Sequence, residues 1–191
     1  MWDIRGMRLR FKGDWPESVE RWKAWWAHEL TDRPLIQITS CKDVADPSVS
    51  WDVWSFARRP EEPEAVIGLF EKWCEQTFFG GDAFPNLWVN YGPGVLAAFL
   101  GARPKFATDT MWFEDPRPWE DLDDIRVDRG GKWWKIVERA MRIATEEAQD
   151  KFMVGMTDLG GPTEVAASLR GSQALMRGLF QRGEREKELC E

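Results

Sequence analysis

Residues 151–171 read KFMVGMTDLGGPTEVAASLRG, and this stretch decides the fold expected for the chain. The apolar run from Lys151 to Asp158 predicts a strand. Gly160-Gly161-Pro162 then turns the backbone, and a helix of small residues follows over 162–170. A strand, a glycine turn and a helix in that order form the repeating unit of parallel β/α proteins. Two further apolar runs lack the alternation of a half-exposed strand: Pro34 to Ser40 (PLIQITS) and Phe84 to Tyr91 (FPNLWVNY). Unbroken apolar strands predict a parallel sheet covered on both faces.

Working outward, apolar residues at helical spacing fill the intervals. Val19, Trp22, Trp26 and Leu30 predict a helix over 16–30, opened by a capping-box pattern at Asp14 and Glu17. Val66, Leu69, Phe70, Trp73, Cys74 and Phe78 predict a second over 62–79. Trp133, Val137, Ala140, Met141 and Ala144 predict a third over 131–150. Shorter helices are expected over 93–101 and 172–188, and Lys105 to Asp115 reads as a small hairpin arm. The order is that of the opening of an α/β (β/α)8 TIM barrel. Three or four strands are legible where a closed barrel needs eight. The chain stops in Glu184-Arg185-Glu186-Lys187-Glu188, inside a helical pattern. The expectation is therefore a single, incomplete domain over 1–191: a partial barrel with a mainly parallel sheet, outer helices and a hairpin arm. Its open sheet edges predict association into a homo-oligomer.

Charge and composition narrow the partners. The 26 basic and 33 acidic residues give a net charge of −7, which disfavours nucleic acid. Thirteen Trp and 11 Phe supply a large core, so global disorder is excluded. Cys41, Cys74 and Cys190 form no CxxC pair and no disulfide framework. The start Met1-Trp2-Asp3-Ile4-Arg5 lacks the apolar run of a signal peptide, and no segment approaches the ~20 apolar residues of a membrane span. A cytoplasmic protein acting on a small molecule is expected, with no nucleic acid and no membrane partner.

Candidate chemistry is sparse. His28 is the single histidine and has no His or Cys three or four residues away, so no metal site is expected. Cys41 follows a predicted strand without a base to activate it. Gly92-Pro93-Gly94-Val95-Leu96-Ala97 fits G-x-G-x-x-A, with Glu114 about twenty residues on. Pro93, however, removes an N–H from the loop that would hold a pyrophosphate. Trp15, Trp22, Trp25 and Trp26 share the first helix with Glu17, Glu20, Arg21, Lys23 and Glu29; that mixed polar face suits packing better than a lipid interface. Asp158 is an acid at a strand end beside a helix start, where it reads either as a site residue or as a cap.

Three passages resemble the uroporphyrinogen decarboxylase superfamily, which includes the methylcobalamin:thiol methyltransferases. They are Asn90-Tyr91-Gly92-Pro93-Gly94 through Gly101, the arm ending Trp112-Phe113-Glu114, and Val154 through Gly160-Gly161-Pro162 to Gly171. The resemblance implies a barrel enzyme acting on a carboxylated small molecule, or a corrinoid-linked methyl transfer. The decarboxylase residues do not carry over one by one, the family's tyrosine after Gly-x-Pro falling near Ser168. From their positions at the strand ends, Asp158 is the candidate catalytic residue, with Asn90, Tyr91, Ser168 and Arg170 expected around the substrate. Arg170 would hold a carboxylate and Asp158 would orient or protonate a reacting carbon. The decarboxylases' early Gln-Ala-Gly-Arg loop is replaced here by Thr39-Ser40-Cys41-Lys42, and the position of their substrate-orienting aspartate, near Asn90 to Gly92, holds no acid. No cofactor is expected within this chain. Zinc or cobalamin would enter with a methyltransferase-type second half. A non-catalytic truncated fragment is the remaining alternative.

Overall fold

The computed structural model describes residues 8–42, 46–118, 121–122, 125–181, 183–184 and 188. Cys190, the Met1–Arg5 start and part of the expected 172–188 helix lie outside them. The elements are α1 (Trp15–Trp26), β1 (Gln37–Cys41), α2 (Ser55–Arg58), α3 (Pro63–Glu75), β2 (Thr77–Gly81), β3 (Asn86–Trp88) and α4 (Val95–Phe99). They continue with β4 (Arg103–Phe106), β5 (Met111–Glu114), α5 (Lys132–Ala148), β6 (Met153–Gly155), α6 (Pro162–Arg170) and α7 (Ser172–Gln181). The chain divides into two compact units, and each is described separately.

The first unit comprises Met1–Asp52, Pro63–Trp88 and Arg142–Gly155. Its β1 and β2 pair antiparallel, from Gln37 opposite Gly81 to Cys41 opposite Thr77. Its β3 and β6 pair in parallel, from Asn86 opposite Met153 to Trp88 opposite Gly155. Helix α3 buries Val66, Phe70 and Cys74 of the expected stripe and Ile67 besides, while Leu69 and Trp73 are half-buried and Phe78 lies exposed in β2. Phe70 meets Phe152 edge-on at 5.1 Å and Trp51 at 4.7 Å, so one aromatic cluster ties this helix to two other chain segments. Leu9, Trp15 and Val19 form a second cluster with Trp22 and Phe84.

A buried carboxylate closes the antiparallel pair. Asp82 follows β2 directly and is fully buried. Its Oδ2 accepts from the Ile36 N–H at 3.0 Å while its own N–H donates to the Ile36 carbonyl at 2.6 Å. Arg33 donates to both carboxylate oxygens, at 2.6 and 3.0 Å, and Arg21 Nη1 adds a contact at 3.2 Å. Burial works to raise the Asp82 carboxyl, but Arg33, the Ile36 N–H and Arg21 together hold it below the ordinary range.

The expected partial barrel is not present. Among the described residues no sheet has more than two strands. Segments 86–88 and 153–155 do pair in parallel, but the first expected strand does not join them. It pairs instead with Thr77–Gly81, a segment whose start the helical spacing assigned to the 62–79 helix. Helix α3 stops at Glu75, and the β-favouring Thr77-Phe78-Phe79 runs into Gly80-Gly81. The Asp82–Ile36 clamp then joins the end of β2 to the start of β1, which antiparallel pairing alone allows. All five β1 residues are exposed, so this strand is not covered on both faces as a barrel strand must be.

Smaller boundaries differ for local reasons. Helix α1 ends at Trp26 because the chain turns through His28 at φ +58°. Asp14 makes no side-chain cap; it pairs with buried Lys12 at 2.9 Å, and Lys12 also donates to the Phe79 and Gly81 carbonyls. Trp26 and Leu30, placed by their spacing on the packed face, are exposed.

The second unit comprises Val53–Glu62, Val89–Met141 and Met156–Glu191. Helices α4 and α6 share a core of Ala97, Ala102, Leu122, Val165 and Leu169, with Phe113 of the hairpin packed against it. The hairpin β4–β5 pairs Arg103 with Glu114 through Phe106 with Met111, as the arm reading expects. The segment after it is strapped down where Arg117 N–H donates to the Leu169 carbonyl at 2.8 Å.

Candidate functional site

Two glycine loops of the second unit come together backbone to backbone. Gly92 and Gly94 adopt φ +95° and +75°, and Gly160 adopts +70°, conformations that L side chains resist. A Cβ placed on Gly160 would lie 3.0 Å from Glu164 Oε2 and 3.3 Å from both the N and the Cα of Gly94, so a side chain there would crowd both loops. A Cβ on Gly92 would fall 2.9 Å from that of Met111 in β5.

Each loop is shaped by a polar side chain that bonds the N–H two residues on. Asn90 Oδ1 accepts from Gly92 N–H at 2.8 Å, and its Nδ2 donates to the Val53 carbonyl at 2.9 Å. Asp158 Oδ1 accepts from Gly160 N–H at 2.9 Å. Buried Thr157 completes the arrangement by donating to the Val89 carbonyl at 2.6 Å. Asn90 and Asp158 thus perform the same local task in the two loops.

Beside these loops lies a cleft of about 470 Å³. Pro93, Trp112, Phe113, Glu164, Ser168 and Ser172 line it, together with Thr110 and Met111 of the arm. Ser168 Oγ donates to the Glu164 carbonyl at 2.9 Å, and a Cβ on Gly94 would lie 3.3 Å from that oxygen. Trp112 is 65% exposed, and so is an aromatic face open to a ligand. Glu164 is the single ionisable residue among the described residues lining the cleft.

Of the five residues singled out from sequence, one is among those lining this cleft. Ser168 lines it. Asn90 and Tyr91 are buried, the latter donating its hydroxyl to the Pro60 carbonyl at 3.3 Å with its ring 5.7 Å from Phe56. Asp158 is half-buried in its turn. Arg170 Nη1 donates to the Arg117 carbonyl at 2.6 Å, a helix-end contact. Sequence reasoning passed over Glu164 and Trp112 as site residues. Both stand inside the quoted passages, but nothing in their spacing marks them; the convergence of arm and helix does.

The other sequence candidates have structural settings. His28 and Cys41 are exposed, and among the described residues no group of three His, Cys, Asp or Glu is placed to hold a metal ion. Cys74 is buried, and that burial pushes its thiol well above the usual range. The helix after Gly94 has five residues, Val95–Phe99, too short for the βαβ unit a dinucleotide fingerprint requires. No described helix is long and apolar enough to cross a membrane.

No family model, curated protein or solved structure matches the chain.

Proposed function

We propose that the second unit carries the substrate site of a small-molecule enzyme resembling the uroporphyrinogen decarboxylase superfamily, in the cleft between the Gly92–Gly94 loop, the arm and α6. One observation supports this most. The three passages that carry the resemblance, distant in sequence, all contribute to the walls of that one cleft: Pro93 from the first, Trp112 and Phe113 from the second, Glu164 and Ser168 from the third. Packing alone does not require residues quoted for one resemblance to meet. Here Ser168 contributes to the lining, and Asn90 and Asp158 are positioning residues that hold the loops through Gly92 and Gly160. The proposal concerns the site and not a barrel.

Within this reading, the lining favours the methyl-transfer branch over decarboxylation. Holding a carboxylated substrate calls for a cation in the cleft, and the described lining residues supply none. Arg170 and Arg117 both donate to backbone carbonyls, of Arg117 and Gly101 respectively. No set of side chains among the described residues fits zinc.

The test is a ligand-observed NMR screen of small polar molecules on the full chain. Binders should lose their signal when the cleft is filled by Ser172→Trp, an exposed position, and again with Ser168→Leu. Far-UV circular dichroism confirms that both variants stay folded. Binders indifferent to both substitutions would overturn the assignment.

A further inference from the structure

We infer that this cleft takes a small organic cation, an alkylated ammonium, and not an anion; the inference rests on the site reading above and names its ligand class. The walls combine an open indole, Trp112, with a second ring, Phe113, the thioether of Met111 and one carboxylate, Glu164. Aromatic faces attract cations through the ring quadrupole, and a methylated ammonium exposes diffuse positive charge and apolar surface to the same ring. The Glu164 carboxylate supplies the opposite charge. The hydroxyls of Thr110, Ser168 and Ser172 are uncharged and oppose neither sign.

The bases nearby are engaged outside the lining, two by carboxylates and two by backbone carbonyls that leave their charge in place. On the arm, Lys105 pairs with Glu114 at 3.0 Å and Arg103 with Asp115 at 3.2 Å. Arg117 Nη2 donates to the Gly101 carbonyl at 2.7 Å, and Arg170 Nη1 to the Arg117 carbonyl at 2.6 Å. The arm's ion pairs cancel in sign, the Arg117 and Arg170 guanidinia are directed to backbone carbonyls, and Glu164 is the one charged group among the described residues lining the cleft. An anion placed there would face a carboxylate with no cation among the described lining residues to offset it.

Titration of the uniformly ¹⁵N-labelled full chain with tetramethylammonium, followed at the tryptophan indole resonances, tests this. Trp112→Phe assigns the relevant resonance. We expect a saturable shift of the Trp112 signal, with affinity reduced about two- to fivefold by Glu164→Gln and, read at the backbone amides of the cleft, by a similar factor for Trp112→Leu. Both positions are exposed, so both variants should fold. tert-Butanol, of similar size but uncharged, and acetate should give no saturable shift. Saturable binding of acetate with none of tetramethylammonium would overturn the ligand class and leave the cleft assignment standing. A response to neither, together with screen hits that ignore Ser172→Trp, would overturn both. Equal binding of tetramethylammonium and tert-butanol would also refute the inference, since charge would then play no part.

Discussion

Asp82→Asn is the perturbation that most directly tests how the first unit is held together. The side chain is wholly buried and accepts four hydrogen bonds, three from the Arg21 and Arg33 guanidinia and one from Ile36 N–H. Asparagine keeps the shape, removes the charge and turns an NH₂ group toward donors. Removing one partner of a fully buried pair costs about 3–5 kcal/mol. The arginines keep 19% and 33% of their side-chain surface in water, so the penalty is discounted to about 2–4 kcal/mol. For a chain of this size that corresponds to a fall in Tm of about 4–16 °C. The pH dependence follows from the same contacts. The native carboxyl lies below its unfolded value, so its contribution is complete above about pH 4 and is lost as pH falls through the native value. Asp82→Asn should therefore be less stable at neutral pH and should lack that acid-side decline. Urea unfolding between pH 2.5 and 7, followed by far-UV circular dichroism, measures both. A variant within about 0.5 kcal/mol of the parent at pH 7 would refute the view that this carboxylate clamps β1 to β2.

Three further outcomes are expected. Gly160→Ala should cost about 1–3 kcal/mol, because it forces a side chain into φ +70° and sets a Cβ 3.3 Å from the Gly94 backbone. Gly13→Ala, whose Cβ meets nothing within 4 Å, should destabilise by no more than about 0.5 kcal/mol in the same urea titration. Alkylation by iodoacetamide, read by peptide mass spectrometry, should label exposed Cys41 quickly and buried Cys74 only under unfolding conditions.

How much of this was legible beforehand can be argued element by element. The span of α6 and the hairpin arm followed from Gly-Gly-Pro punctuation and local pattern, because turn chemistry acts within a few residues. The core positions of α3 and α5 followed from 3.6-residue spacing for the same reason. The direction of β1 did not: Pro34 to Ser40 reads equally well as a parallel or an antiparallel strand, and its fate turns on Asp82, some forty residues away. A carboxylate beside two guanidinia and one N–H outweighs the weak preference encoded in an apolar run. The site divides in the same way. Gly92, Gly94 and Gly160 announced turns, and Asn90 and Asp158 announced polar groups at strand ends. That Asn90 and Asp158 would bond their own loops, while Trp112 and Glu164 line the open cleft, depends on where the arm meets α6. Local sequence fixes which backbone conformations are cheap. Which side chains share a cavity is set by long-range packing, whose energy is a sum over partners that no single stretch of sequence contains.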